Sequence, residues 1–259
     1  MPSSLDGWLA PAPDAARVEW LRGVIYAHRG LHGQGRVENS PGAFAAALAA
    51  GLGSECDVQR TSDGRAVVFH DWDLDRLTGE QGPVAARTAA ELTRVGLGGA
   101  DETIPAMCDL LALVAGRVPL LIELKSRKER SVVPLCRAVL RDLEGYRGPH
   151  AVMSFDPRVG QWFAARSPDT VRGLVVSEAN ARTFGGMVRR HLALWRSRPD
   201  FLAYDVRDLP SRFAAAHRAR GLPVLTWTVS TSALRHRAQA QADGWIAEAE
   251  GVASALPNP

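Results

Sequence analysis

Short extended segments alternating with helix-like ones run along most of this 259-residue chain, and that alternation limits its fold more than any other feature. The extended segments begin at Val24, Gly53, Pro119, His150, Val171, Phe201, Pro223 and Ala242. Helical spacing falls between them, over Pro105–Ala115, Ser131–Leu143, Val159–Arg166, Ser211–Arg220 and Thr231–Gln241. Before Gly53, Ser40 is a natural N-cap with Pro41 at the first helical position, and Gly51 closes the alanine-rich run AFAAALAAG. Strand-then-helix repetition builds parallel sheets with crossover connections. Eight such units in a chain near ~250 residues give an α/β protein of the (β/α)8 TIM-barrel class. Polar residues gather where these strands end: His28, Glu55 and Asp57, Glu123 and Lys125, Ser154, Trp227 and Thr228. Barrels of this class carry their chemistry on that rim.

One segment departs from the alternation. Gly53 to Asp71, GSECDVQRTSDGRAVVFHD, reads as strand, turn and returning strand, with Asp63-Gly64 as a two-residue hairpin signal. Period-2 alternation puts Glu55 and Asp57 on one face and Cys56 and Val58 on the other. Paired carboxylates repel and are costly to bury alone, and a hard divalent cation resolves the conflict. The apolar return Ala66–Phe69 then brings His70 and Asp71 back toward the carboxylates. The polar stretch 73–103, with a short helix around Ala89–Arg94, reads as an excursion from the main fold. Residues 1–22 read as a leader broken at Pro11 and Pro13, with Trp8 and Trp20 available to pin it to the body. The whole, 1–259, is expected to be a single barrel domain.

Charge and cysteine content exclude several classes. A net charge of +3 with no basic run interleaved with aromatics gives no nucleic-acid footprint. Cys56, Cys108 and Cys136 are widely spaced and lack a CxxC pair, which argues against a disulfide framework or a zinc site. No secretory n-region and h-region opens the chain, and no apolar run reaches the ~18 residues of a spanning helix. A soluble cytoplasmic protein, without stable membrane insertion, is the expectation. Of 31 basic residues all but Lys125 and Lys128 are arginine, so each lysine is informative.

AHRG at 27–30, VENS at 37–40, SECDVQRTSDGRAVVFHDWDLDRLTG at 54–79, IPAMCDLL, PLLIELK and LTWTV follow one another in a fixed order. Together they resemble the glycerophosphodiester phosphodiesterase family of bacterial, TIM-barrel type, from about Ala27 to Trp227. The resemblance implies a barrel with a small insertion after the second histidine, here 73–103. It also implies Glu55, Asp57 and Glu123 as ligands of one divalent cation, Mg2+ or Ca2+, and His28 and His70 as the catalytic histidines. Arg29 and Lys125 match positions around the substrate phosphate. Glu38 matches an orienting carboxylate. Trp227 reads either as packing at the barrel mouth or as a residue that stacks on or shapes the substrate. The closing ADGWIAEAE is only loosely like the family's GxDGIITD, and Cys56 stands where a bulky aliphatic residue is usual.

The residues support such chemistry independently. Cleaving a phosphodiester takes charge neutralisation on phosphate, a nucleophile and a proton for the leaving oxygen. Three carboxylates on one cation leave coordination positions open, two histidines exchange protons near neutral pH, and Arg29 suits bidentate contact with phosphate. Glu123 beside Lys125 also reads as a structural ion pair. His32 and Asp71 read as local hydrogen-bond partners, and His150, His191, His217 and His236 as surface or structural groups. The expected reaction is hydrolysis of a small glycerophosphodiester to glycerol 3-phosphate and an alcohol such as choline or ethanolamine. The competing readings are a lysophospholipase D-like hydrolase, with Leu192, Leu194 and Trp195 as an apolar entry, and an inactive barrel acting as a binding module.

Overall fold

The computed structural model describes residues 4–98, 101–179 and 183–253. Residues 1–3 of the expected leader and 99–100 of the expected insertion lie outside the described residues. The strands are β1 (Ile25–Ala27), β2 (Gly53–Arg60), β3 (Ala66–Val68), β4 (Leu120–Leu124), β5 (His150–Ser154), β6 (Val171–Val176), β7 (Phe201–Asp205), β8 (Val224–Val229) and β9 (Gly244–Ala247). The helices are α1 (Ser4–Leu9), α2 (Ala15–Val18), α3 (Pro41–Ala49), α4 (Ala89–Leu92), α5 (Met107–Val114), α6 (Val133–Asp142), α7 (Pro157–Arg166), α8 (Phe184–Ser197), α9 (Arg212–Ala219) and α10 (Ser232–Gln241). The sheet is a closed, eight-stranded parallel barrel with helices between the strands, and β3 is added antiparallel at β2. All eight anticipated barrel strands are present. The chain groups into two compact units, residues 26–150 and residues 1–25 with 151–256.

In the unit 26–150, β2 pairs in parallel with β1, Tyr26 opposite Gly53, and with β4, from Ser54 opposite Leu120 to Val58 opposite Leu124. Ser40 caps α3 as its sequence indicates, accepting from the Ala43 amide at 3.2 Å, with Pro41 in the first turn. The β2–β3 turn differs from the two-residue form. Thr61 N donates to Arg65 O at 3.0 Å and Gly64 N to Thr61 O at 3.1 Å, so Ser62, Asp63 and Gly64 make the loop. Gly64 takes φ +77°, the left-handed residue that closes such loops. Thr61 is the reason for the longer loop, because its hydroxyl binds both Asp63 and the Arg65 amide. The excursion has its own apolar cluster, in which Leu74, Val84, Leu92, Leu97 and Ile104 pack against Val67 and Phe69 of the hairpin. A reciprocal Thr88–Glu91 capping box starts α4.

In the other unit, β5 to β9 run parallel in chain order. The leader is helical here, and it is anchored differently from the expectation. Trp8 is 78% exposed, while Asp6, 1% exposed, is buried instead. Asp6 Oδ1 accepts from Trp195 Nε1 at 2.8 Å and pairs with His191 Nδ1 at 2.9 Å. His217, also 1% exposed, lies 4.0 Å from Asp6 Oδ2. His191 and His217 are therefore structural groups, clustered around one buried carboxylate. Trp20, half-buried, donates to Arg17 O at 3.0 Å within the leader, and Arg17 reaches Pro168 O, Thr170 O and Asp200.

Candidate metal centre and active site

Every site residue anticipated from the sequence except Trp227 lies in the unit 26–150. Glu55 and Asp57 leave the same face of β2, two residues apart, and the parallel register sets Asp57 directly beside Glu123 of β4. One carboxylate oxygen from each of Glu55, Asp57 and Glu123 lies within 4.8 Å of the others. Glu55 and Asp57 are each 2% exposed. Lys125, two residues beyond Glu123 on the same face, brings Nζ to 3.3 Å from Glu123 Oε1 and 3.5 Å from Asp57 Oδ1.

Arg29 follows β1 at φ +55° and meets the cluster with backbone and side chain. Its amide donates to Glu55 Oε2 at 3.1 Å, its NH1 donates to Glu38 Oε1 at 2.7 Å, and its Nε lies 3.2 Å from Asp57 Oδ2 without hydrogen-bond alignment. Gly30 is required next, because at φ +78° a Cβ would come within 2.8 Å of the Ala43 backbone. His28, half-buried, begins this turn, its ring 6.4 Å from that of His32.

Electrostatics follow from crowding. Burial raises the Glu55 carboxyl well above the usual range, and the neighbouring Asp57 and Glu123 charges add to it. Burial also raises Glu123, against the opposing pull of Lys125. Burial would lower the Lys125 ammonium, but Glu123 and Asp57 outweigh it and raise it. The cluster thus carries more negative charge than its two cations stabilise.

His70 stands past the end of β3 with Nδ1 2.7 Å from Asp71 Oδ1. Asp71 is held by Arg76, whose Nε and NH2 donate to it at 2.5 and 2.9 Å, and Arg76 also donates to both Glu38 oxygens. The Arg76 hydrogen bond takes the Asp71 carboxyl to about 2. Burial pushes Glu38 up, but Arg76 and Arg29 more than reverse it, to about 2. Burial lowers His70, only partly offset by Asp57. One chain of charge therefore runs Arg29–Glu38–Arg76–Asp71–His70.

Two residues of this site carry no assignment from sequence. Asn39, 1% exposed and at φ +58°, donates from Nδ2 to Asp57 Oδ2 at 3.1 Å and accepts the Asp57 amide at 3.3 Å. Asparagine tolerates that backbone region, so its place beside Glu38 in VENS was the available signal. Arg76 had none, since arginine is the background cation of this chain. Trp227, in the other unit, sits where the β8–β9 register shifts between Thr226 and Val229. It donates from Nε1 to Ala203 O at 2.9 Å and meets Phe155 edge-on at 5.4 Å.

The family model for the glycerophosphoryl diester phosphodiesterase family matches residues 28–249. A curated Mycobacterium tuberculosis protein, "Probable glycerophosphodiester phosphodiesterase 2", is 33% identical over 223 residues, 82% of this chain and 76% of that one. Among solved structures, an Oleispira antarctica phosphodiesterase in complex with the product sn-glycerol-3-phosphate superposes with a TM-score of 0.79 at 24% identity, covering 92% of this chain and 98% of that one. The Thermotoga maritima glycerophosphodiester phosphodiesterase gives 0.70 at 25% identity, covering 88% and 95%.

Proposed function

This chain belongs to the glycerophosphoryl diester phosphodiesterase family and is a glycerophosphodiester phosphodiesterase, and from that premise we propose a metal-dependent, two-histidine hydrolysis centred on Glu55, Asp57 and Glu123. The observation that carries the reading is the convergence of these three carboxylates within 4.8 Å. The donor set is all hard oxygen, and its buried repulsion is what one Mg2+ or Ca2+ would relieve. When bound, that cation supplies Lewis-acid neutralisation of the phosphate.

The remaining roles belong to the chain's own residues. Lys125 and Arg29 supply positive charge to non-bridging phosphate oxygens. Asn39 and the Arg29 amide hold Asp57 and Glu55 in their orientations. Asp71 fixes His70 Nδ1 as a donor, leaving Nε2 as the atom that exchanges a proton with substrate. His28 and His70 divide two transfers. One takes the proton from the attacking oxygen as it bonds to phosphorus, and the other protonates the alcohol oxygen as the P–O bond breaks. Glycerol 3-phosphate and an alcohol result.

The test is product analysis on glycerophosphoinositol. Metal-loaded enzyme is expected to release glycerol 3-phosphate, to lose activity on chelation and dialysis, and to recover with Mg2+ or Ca2+. Glu55→Gln, Asp57→Asn and Glu123→Gln are each expected to lose that recovery while remaining folded. Full turnover in excess chelator removes the metal-dependent reading.

A further inference from the structure

A cavity of ≈ 350 Å³ adjoins this site, with Trp72, Asp73 and Lys125 lining both it and the hollow beside His70. Its wall is strongly basic. Arg60, Arg127 and Arg130 line it along with Lys125, and Asp73 is the one carboxylate on its described lining. Lys125 is engaged with Glu123 and Asp57, whereas among the described residues the Arg60 and Arg130 guanidiniums form no ion pair. The Arg127 guanidinium lies 4.5 Å above the Trp72 ring. Gln59 is held by Phe69 O and Asp71 O, so it supports the floor rather than offering donors.

We propose that this cavity receives the alcohol half of the substrate and selects an alcohol carrying a phosphate or carboxylate. This rests on the reading of the adjoining carboxylate and histidine site as the phosphodiesterase centre. Size and charge both point to the alcohol half. Glycerol is small and neutral, and a cavity of ≈ 350 Å³ walled by three guanidiniums is oversized and wrongly charged for it. Guanidinium forks match phosphate and carboxylate oxygens and are a poor environment for a cation. The usual receptor for a quaternary ammonium is an open aromatic face. Here Arg127 covers a face of Trp72, so a choline-like head group meets a cation instead. A substituent leaving the reacting phosphate past His70 and Lys125 enters this basic wall directly.

The test uses the metal-loaded enzyme on three substrates that differ in the alcohol: glycerophosphoinositol 4-phosphate, glycerophosphoinositol and glycerophosphocholine. The expected order of kcat/KM is anionic over neutral over cationic. Arg60→Gln and Arg127→Gln are each expected to shrink the anionic-to-neutral ratio about 10-fold, the lower end for a hydrogen bond to a charged group. The ratio is internal to each variant, so a change in active fraction does not move it. Equal rates on all three, a preference for the choline ester, or ratios unmoved by both substitutions overturn this inference and leave the phosphodiesterase reading standing. No turnover of any of the three removes that reading and this inference with it.

Discussion

Lys125 is one of two lysines in a chain whose other basic residues are all arginine, and its Nζ stands 3.3 and 3.5 Å from two of the three clustered carboxylates. An ammonium is a compact point charge with three rotatable donors, whereas a guanidinium is a broad planar fork. Between Asp57 and Glu123 the fork would displace one carboxylate to fit. Lys125→Arg is therefore expected to fold normally, by circular dichroism, yet lose most activity, nearly as much as Lys125→Ala. Lys128→Arg, on the exposed loop beyond, is the control and is expected to stay near wild type. A fully active Lys125→Arg enzyme would show that the position needs charge alone. The histidines make a second prediction at this scale. His28→Ala and His70→Ala are each expected to lower kcat by at least ~10², the low end for a positioned acid or base. Each is also expected to flatten one limb of the pH–rate profile, and a loss of only a few-fold would make that histidine structural. The pair Glu55 and Asp57 was legible because a strand has a side-chain period of 2. Arg76 was not, because nothing local separates it from the other arginines. Only the fold sets its guanidinium on both Asp71 and Glu38.

At the scale of elements, α1 shows where sequence patterning misleads. Trp8 is the residue whose type favours burial, yet α1 buries Asp6, because Trp195 and His191 of α8 offer donors that only an acceptor satisfies. Helix α8 itself went unrecognised, with Gly185 and Gly186 opening it and arginines diluting its apolar face. Its Thr183 cap, which accepts from the Gly186 amide at 3.2 Å, is the sequence signal that marks it. The barrel strands other than β2 were plain by contrast, since each is a short, mostly apolar run between turns. Asp6→Ala leaves two donors without their acceptor and is expected to cost about 2–3 kcal/mol, read as a lowered Tm. The same contact makes stability depend on pH. Burial, then the Arg220 charge, takes His217 from 6.5 to about 4, against the pull of Asp6. Arg220 NH2 donates to His217 Nδ1 at 3.0 Å, so this nitrogen must stay unprotonated. A depressed folded pKa gives stability that is complete above pH 6.5 and lost as pH falls through about 4. The full loss is about 3 kcal/mol, at 1.36 kcal/mol per pH unit. Asp6, also lowered, acts in the same direction at lower pH. His217→Gln is expected to flatten the fall in Tm between pH 6.5 and 4. An unchanged slope would place the acid lability elsewhere.

For the whole molecule, the proposed metal role of the carboxylate cluster would link catalysis to folding stability. The chain carries a net charge of only +3, yet three carboxylates converge in one small, mostly buried space with Lys125 and Arg29 as their cations. The sequence made this visible by motif order, but not its energetic consequence, which depends on burial. Without a cation, like charges held at 2% exposure for Glu55 and Asp57 oppose folding. A ligand that binds only the folded chain adds RT ln(1 + [L]/Kd), about 2.7 kcal/mol at 100 times Kd. For a protein of this size that is a rise in Tm of about 5–10 °C. Wild-type protein is therefore expected to melt higher in Mg2+ or Ca2+ than in chelator. Glu55→Gln separates the two effects. Replacing a carboxyl whose charged form is disfavoured by burial and by its neighbours is expected to raise Tm in chelator relative to wild type, while most of the rise on adding metal disappears. The two melting curves thus change order when the ion is added, a pattern that a purely structural carboxylate cannot give. If wild-type Tm ignored both ions at millimolar concentration, the three carboxylates would be ion-pair partners of Arg29 and Lys125 alone, and the proposed metal centre would fall.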